Sequence, residues 1–169
     1  TITEIAAAAE VMRQKAIRIV PPAGKEVLDT CGTGGDRAGT FNISTTVAFV
    51  AAGAGIAVAK HGNRSVTSRS GSADVLEALG MDLNSEPAKV QRALDEAGIT
   101  FMFAPRFHAA MKYAIGPRRE IAIRTIFNIL GPISNPAGVR RQVVGVFSEE
   151  LGDTYARFLA ESGHRHAFR

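Results

Sequence analysis

The stretch from residue 27 to residue 79 constrains the chain most, because it runs twice from a short apolar segment through a polar turn into a helix. The first run, Val27-Leu28-Asp29-Thr30, enters Cys31-Gly32-Thr33-Gly34-Gly35-Asp36, and Asn42-Ile43-Ser44-Thr45-Thr46 follows. The second run, residues 55–59, ends in Lys60-His61-Gly62-Asn63-Arg64, and Ser70-Gly71-Ser72-Ala73-Asp74 opens the next helical pattern. Strands alternating with helices imply an α/β fold, a mostly parallel sheet joined by right-handed crossovers. The first helix is expected over 45–54 with Ser44 or Thr45 as its cap. The second is expected from Ser72, again as cap, to near Gly80.

Each part of this stretch suits an anion, a phosphate above all. Glycines let successive backbone N–H groups face one side and wrap an oxyanion. A helix start leaves four N–H groups unpaired and carries roughly half a positive charge. Lys60 adds a full charge at the end of the second run. Singly, each feature has an ordinary explanation as a tight turn or a helix cap. Together, within one βαβα span, they favour a ligand site. The turn lacks the third glycine of a dinucleotide fingerprint, because Arg37 stands there, and the second run ends in Lys60 rather than an acid. No G-x-x-x-x-G-K-[ST] is present. Both turns follow strand ends, so they should share the carboxyl rim of the sheet.

The remaining pattern continues the alternation. Thr1 and Glu4 form a capping box for a helix over residues 2–17, with Ile5, Ala8, Ala9, Met12 and Ala16 on its inner face. Pro21, Pro22 and Gly24 make a linker. A helix begins at Pro87 and ends at Gly98. Residues 99–103 read as a strand. Helices are expected near 105–113 and 117–128, a loop over 131–138, a buried strand over 142–147 and a helix over 149–162. Residues 164–168 open another strand, on which His164 and His166 would share a face as surface polarity rather than as a metal pair.

Composition removes several function classes. Of 169 residues, 46% are hydrophobic, and no apolar run reaches the ~18 residues of a membrane helix. Cys31 is the one cysteine, so no intrachain disulfide can form and a cytoplasmic setting is expected. A small buried filler suits Cys31 better than a nucleophile. The net charge of +4 suits anionic ligands, while the absence of tryptophan and the presence of only two tyrosines leave few stacking platforms for nucleic acid.

Gly32-Thr33-Gly34-Gly35-Asp36, Asn42-x-Ser44-Thr45, Lys60-His61-Gly62-Asn63-Arg64, Gly71-Ser72-Ala73-Asp74 and Gly131-Pro132-x-x-Asn135-Pro136 together resemble the anthranilate phosphoribosyltransferases of tryptophan biosynthesis. The resemblance covers nearly the whole chain, in order. The related pyrimidine nucleoside phosphorylases share the architecture but carry a serine-rich motif after their lysine-histidine.

The resemblance implies a central, mostly parallel sheet with flanking helices plus part of a small helical domain. Residues 1–22 would be a remnant of that domain and 23–169 an incomplete α/β domain, with the helices at about 105–128 packing beside the helical part. It implies transfer of a phosphoribosyl group from phosphoribosyl pyrophosphate to the amine of anthranilate, with Mg2+, in a cytoplasmic homodimer and without a covalent nucleophile. Gly32, Gly34, Gly35, Asp36, Asn42, Ser44, Thr45, Lys60 and Ser72 would hold phosphoribosyl pyrophosphate, and Ser44 would also contact magnesium. Asp36 can accept a ribose hydroxyl, bind magnesium through water, or merely stabilise the turn. Gly32, Asn63 and Arg118 would hold anthranilate, the guanidinium pairing with its carboxylate. Arg119 is a neighbouring rival, and an exposed surface role is the alternative for both arginines. His61 and His108 either line the aromatic pocket or are structural. The family's magnesium-binding Asp-Glu pair has no counterpart here, since Asp95-Glu96 falls on a helix elsewhere in the order. The chain is therefore expected to be a fragment lacking both ends, with little or no catalysis by itself. Two other readings remain: a nucleoside phosphorylase of the same fold, and a non-enzymatic paralogue that binds nucleic acid. Neither needs Asn63 and Arg118 as an anthranilate pocket.

Overall fold

The computed structural model describes residues 1–34, 40–65, 70–121, 123 and 125–168. Among them, β1 (Val27–Gly32), β2 (Ala57–Gly62), β3 (Ile99–Phe103), β4 (Arg141–Gly145) and β5 (His166–Phe168) form one sheet in the order β3-β2-β1-β4-β5. Every pair is parallel. The chain steps outward from β1 to β2 and β3, then returns to place β4 on the other side of β1. That reversal is the topological switch point, where open α/β sheets hold their ligands.

The helices are α1 (Ile2–Lys15), α2 (Ile43–Gly53), α3 (Ser72–Ala78), α4 (Pro87–Ala97), α5 (Ala104–Phe107), α6 (Lys112–Ile121), α7 (Phe127–Leu130) and α8 (Glu149–Glu161). The two sheet faces differ. Val27, Asp29, Cys31, Ala59, His61, Met102, Gln142 and Val144 alternate onto one face, under α1, α4, α5, α7 and α8. Thr30, Lys60 and Phe101 fall on the other. Thr30 and Lys60 meet α2 there, and Phe101 packs with Ala73 and Leu76 of α3.

Local signals explain the ends of several elements. Thr1 and Glu4 form the capping box of α1. Pro87 occupies the first turn of α4, and Gly98 closes that helix at φ +69°. On α8, Ser148 caps the helix and Tyr155, Phe158 and Leu159 are buried, while Leu151 packs against the same cluster. Cys31 is buried among apolar neighbours, and burial pushes its thiol well above the ordinary range, as a filler role requires.

Several expectations require correction. α2 starts at Ile43 and is capped by Asn42, whose Oδ1 accepts from the Thr45 amide (3.3 Å) and hydroxyl (2.6 Å). Neither Ser44 nor Thr45 is the cap. Gly71, not Ser72, caps α3. β1 runs on through Gly32 because β4 continues its ladder to Gly145, and β2 runs through Lys60, His61 and Gly62 because β3 continues beside it. β4 ends at Gly145 rather than at 147. The helix expected over 105–113 divides into α5, a 3-10 turn at Ala109–Met111 and the start of α6. Pro117 lies inside α6 instead of opening a helix to 128. Tyr113, whose carbonyl Pro117 cannot bond, is 75% exposed, so water can take that acceptor. His164 precedes β5 and pairs with Ser162 Oγ at 2.9 Å, so it shares no strand face with His166.

Phe158 is 1% exposed within the cluster that joins α1, α8, β1 and β4. Phe158→Ala should lower stability by about 3–5 kcal/mol, and Leu151→Ala by clearly less because its side chain is only half-buried. Urea denaturation midpoints measure both.

Candidate functional site

β1 and β2 pair over Val27↔Ala57 and Leu28↔Val58, and their ladder stops there although the strands stay side by side. The backbone groups left along that seam are met by side chains. Lys60 Nζ donates to the Thr30 carbonyl and, at 3.2 Å, to Ser44 Oγ. The His61 amide donates to Asp29 Oδ1 at 3.1 Å. Asn135 Nδ2 donates to the Ala59 carbonyl at 2.9 Å, while its Oδ1 accepts from the Ala137 amide at 2.8 Å. Gln142 of β4 donates to Asp29 Oδ2 (3.2 Å) and to the Pro132 carbonyl (2.7 Å). A buried carboxylate and a buried ammonium thus lie beneath the switch point. Burial raises the Asp29 pKa and lowers that of Lys60, and each charge partly offsets the effect on the other.

Above this seam the two polar turns approach each other. The Thr33 amide donates to the Gly145 carbonyl at 2.9 Å, tying the turn after β1 to the end of β4. Gly34 sits at φ +66°, which favours glycine there. Gly35 and Asp36 lie outside the described residues, as does the side chain of Arg119. Asn42 Nδ2 reaches the Ser70 carbonyl at 3.5 Å, so the cap of α2 touches the loop before α3. Ser44 Oγ takes its hydrogen bond from Lys60 and keeps its own proton for an anionic oxygen. Thr45 is buried with its hydroxyl committed to Asn42. Asn63 is exposed, Gly32 is exposed, and Ser72 is half-buried at the first position of α3.

His61 and His108 are both buried, with ring centroids 5.0 Å apart and a 60° tilt. His61 Nδ1 lies 3.1 Å from the Gly131 carbonyl, which places its proton there. Among the described residues neither Nε2 has a partner. Burial holds both rings near pKa 4; Lys60 adds to the effect on His61, and His61 adds to it on His108. Arg118 lies in the second half of α6, not in a first turn, with its guanidinium 5.4 Å above the Phe127 ring.

Sequence reasoning singled out Lys60, Ser44, Asn42 and the histidines. It missed Asp29, Thr30 and Gln142 as the buried polar set under the turns. The available signal was a carboxylate inside an otherwise apolar run.

Glycines, a helix start and a lysine at the switch point of a doubly wound sheet define an α/β domain with a candidate anion site. The profile of the glycosyl transferase family, a/b domain, matches residues 24–168, and the chain belongs to that family. It is 61% identical over 168 residues to an anthranilate phosphoribosyltransferase of Desulfosudis oleivorans, covering 99% of this chain and 49% of that protein. It is 56% identical over 167 residues to the one of Nitrosomonas europaea, with coverage of 99% and 49%. The chain thus spans about half the length of the curated relatives it matches. Among solved structures, anthranilate phosphoribosyltransferase of Thermus thermophilus superposes with TM-score 0.90 at 48% identity, over 98% of this chain and 51% of that one. The Saccharomyces cerevisiae enzyme in complex with PRPP and Mg gives 0.88 at 34% identity, over 98% and 47%.

Two outcomes test this site. Asp29→Ala weakens the electrostatic support of Lys60 and leaves the buried His61 amide without its acceptor, and should cost about 1–3 kcal/mol. A double-mutant cycle of Asp29→Asn with Lys60→Met should show coupling above about 1 kcal/mol; strict additivity would contradict the paired-charge account. The histidines set a pH dependence. Folded, both rings stay neutral down to about pH 4; unfolded, they take up protons near 6.5. The unfolded chain binds more protons between those values, so stability is full above about 6.5 and is lost as pH falls towards 4. One such ring accounts for on the order of 3 kcal/mol. Urea midpoints across that range should fall steeply, and His108→Gln should remove roughly half of the slope.

Proposed function

We propose that the protein, at its full length, transfers the phosphoribosyl group of phosphoribosyl pyrophosphate to the amine of anthranilate, as its relatives' name states. The observation that carries this reading is the meeting of the α2 cap with the loop before α3, together with the Lys60–Ser44 contact in the first turn of α2. It sets hydroxyls, backbone amides and an ammonium at one rim.

In this reading Gly32, Gly34, Gly35, Asp36, Asn42, Ser44, Thr45 and Ser72 surround phosphoribosyl pyrophosphate, and Lys60 acts from below as a fixed positive charge. The leaving oxygen takes the electrons of its bond to the anomeric carbon, the amine nitrogen forms the new bond on the opposite face, and its surplus proton passes to the departing pyrophosphate or to water. The protein's part is to stabilise the departing pyrophosphate and to hold the amine in line. Asn63, Arg118 and Gly32 hold the anthranilate carboxylate, and His61 and His108 act as neutral pocket walls. With pKa values near 4, neither ring is a strong base.

Magnesium would neutralise pyrophosphate charge. Among the described residues no group of three or more His, Cys, Asp and Glu can hold a metal ion. Ser44 Oγ can ligate a cation, but the Lys60 ammonium at 3.2 Å repels one unless phosphates lie between them. Ser44 therefore suits magnesium only as part of a metal–polyphosphate complex, with acidic residues from outside this stretch. Residues 1–22 belong in this reading to a helical domain and 23–169 to the α/β domain. Assembly as a cytoplasmic homodimer belongs to the same proposal. Among the described residues no helix is long and apolar enough to cross a membrane.

Anthranilate fluorescence, followed with phosphoribosyl pyrophosphate and magnesium, tests the reading. The full-length protein should consume anthranilate, and residues 1–169 alone should not. Arg118→Ala should raise the KM for anthranilate about tenfold or more, the loss of one charge-assisted contact, with the KM for phosphoribosyl pyrophosphate little changed. Thymidine phosphorolysis by the full-length protein, without anthranilate consumption, would overturn the assignment.

A further inference from the structure

A carboxylate outside the proposed reaction holds down the turn after β2. Asp74 Oδ2 accepts from the Ser65 amide (3.0 Å) and the Gly71 amide (2.7 Å), and its Oδ1 accepts from Arg64 Nη1 (3.0 Å). Arg64 also forks onto both Glu77 oxygens at 2.7 Å and lies 5.9 Å from the Phe103 ring centre. The Asn63 carbonyl accepts from the Ala73 amide at 3.3 Å. Gly71 packs so closely beneath the turn that a Cβ would lie 2.7 Å from the Arg64 carbonyl carbon and 2.8 Å from the Asn63 oxygen. Within the turn, the Arg64 amide donates to Asn63 Oδ1 at 2.8 Å, which leaves the carboxamide N–H groups to meet an acceptor.

We infer that Asp74 is a positioning residue for Asn63: through Ser65, Gly71 and Arg64 it fastens residues 63–65 onto the start of α3 and so aims the Asn63 carboxamide at the carboxylate of the aromatic acid. A helix cap would need the Gly71 amide alone. The same oxygen also takes the Ser65 amide from across the turn, and the other oxygen takes a guanidinium. An asparagine at position 74 has one acceptor oxygen and cannot serve all three donors. The inference rests on the transferase reading, in which Asn63 holds anthranilate.

The test uses the full-length protein with Asp74→Asn, and Glu77→Gln as the control that leaves every bond to Asp74 in place. Asp74→Asn should raise the KM for anthranilate about tenfold, with kcat at saturation changed less than about threefold. Glu77→Gln should keep the KM within about twofold of wild type. Without substrate, hydrogen exchange at the Ser65 and Ala73 amides should speed at least about tenfold in Asp74→Asn, while the amides of α4 keep their protection. If Asp74→Asn fails to fold, Arg64→Lys, which keeps the charge but loses the planar fork, should show the same two changes at smaller size. Both readouts must move: an unchanged KM or unchanged exchange overturns the inference. No turnover by the wild type sinks the transferase reading instead, and exchange then decides by itself whether Asp74 holds the turn.

Discussion

The end of the β1–β2 ladder at Leu28 and Val58 is the feature on which the site depends. Where a ladder stops, the backbone groups facing the seam lose their partners, and each buried donor or acceptor left without one costs about 1–3 kcal/mol. Here the gap is closed by Lys60 on Thr30, Asp29 on His61 and Asn135 on Ala59. Two of those three side chains are ionisable and buried. They lie on opposite faces of the sheet, each charge partly offsets the cost of burying the other, and both lie at the strand ends that the turns leave. The seam thus becomes a charged floor beneath the candidate site.

The two faces of the sheet supply different chemistry to that floor. On the α2 and α3 face, Thr30, Lys60 and Ser44 gather hydroxyl and ammonium groups suited to phosphate oxygens. On the other face, His61 and His108 meet as neutral rings close to Gln142 and Asp29. One sheet thus separates a side of hydroxyl and ammonium groups from a side of neutral rings. With pKa values near 4 the histidine pair stays neutral, so Lys60 on the opposite face is the positive group of the two sides.

Much of this was legible wherever the signal is local. The capping box at Thr1 and Glu4, the Pro87-to-Gly98 helix and the order of strands and helices all follow from short-range chemistry. Boundaries were less legible. Gly32 and Gly62 look like turn residues, yet both continue strands because a neighbouring strand supplies partners. Asn42 outcompeted Ser44 and Thr45 as the cap of α2 because its longer side chain satisfies both the amide and the hydroxyl of Thr45. Pro117 inside α6 breaks a sequence rule where exposure removes the cost. The Asp29–Gln142 contact could not be read at all, since its partners are 113 positions apart.

That long separation matters while the chain is being made. Thr33 emerges from the ribosome 112 positions before Gly145, so β1 must wait for β4. At roughly 5–20 residues per second, the delay is roughly 5–20 s. During that interval β1 can pair with β2 and β3 but presents its other edge, unpaired, to whatever strand is near. The strand at the heart of the site thus keeps an open edge until more than a hundred further residues have been made, and the nascent chain is open to mispairing at the place its chemistry needs.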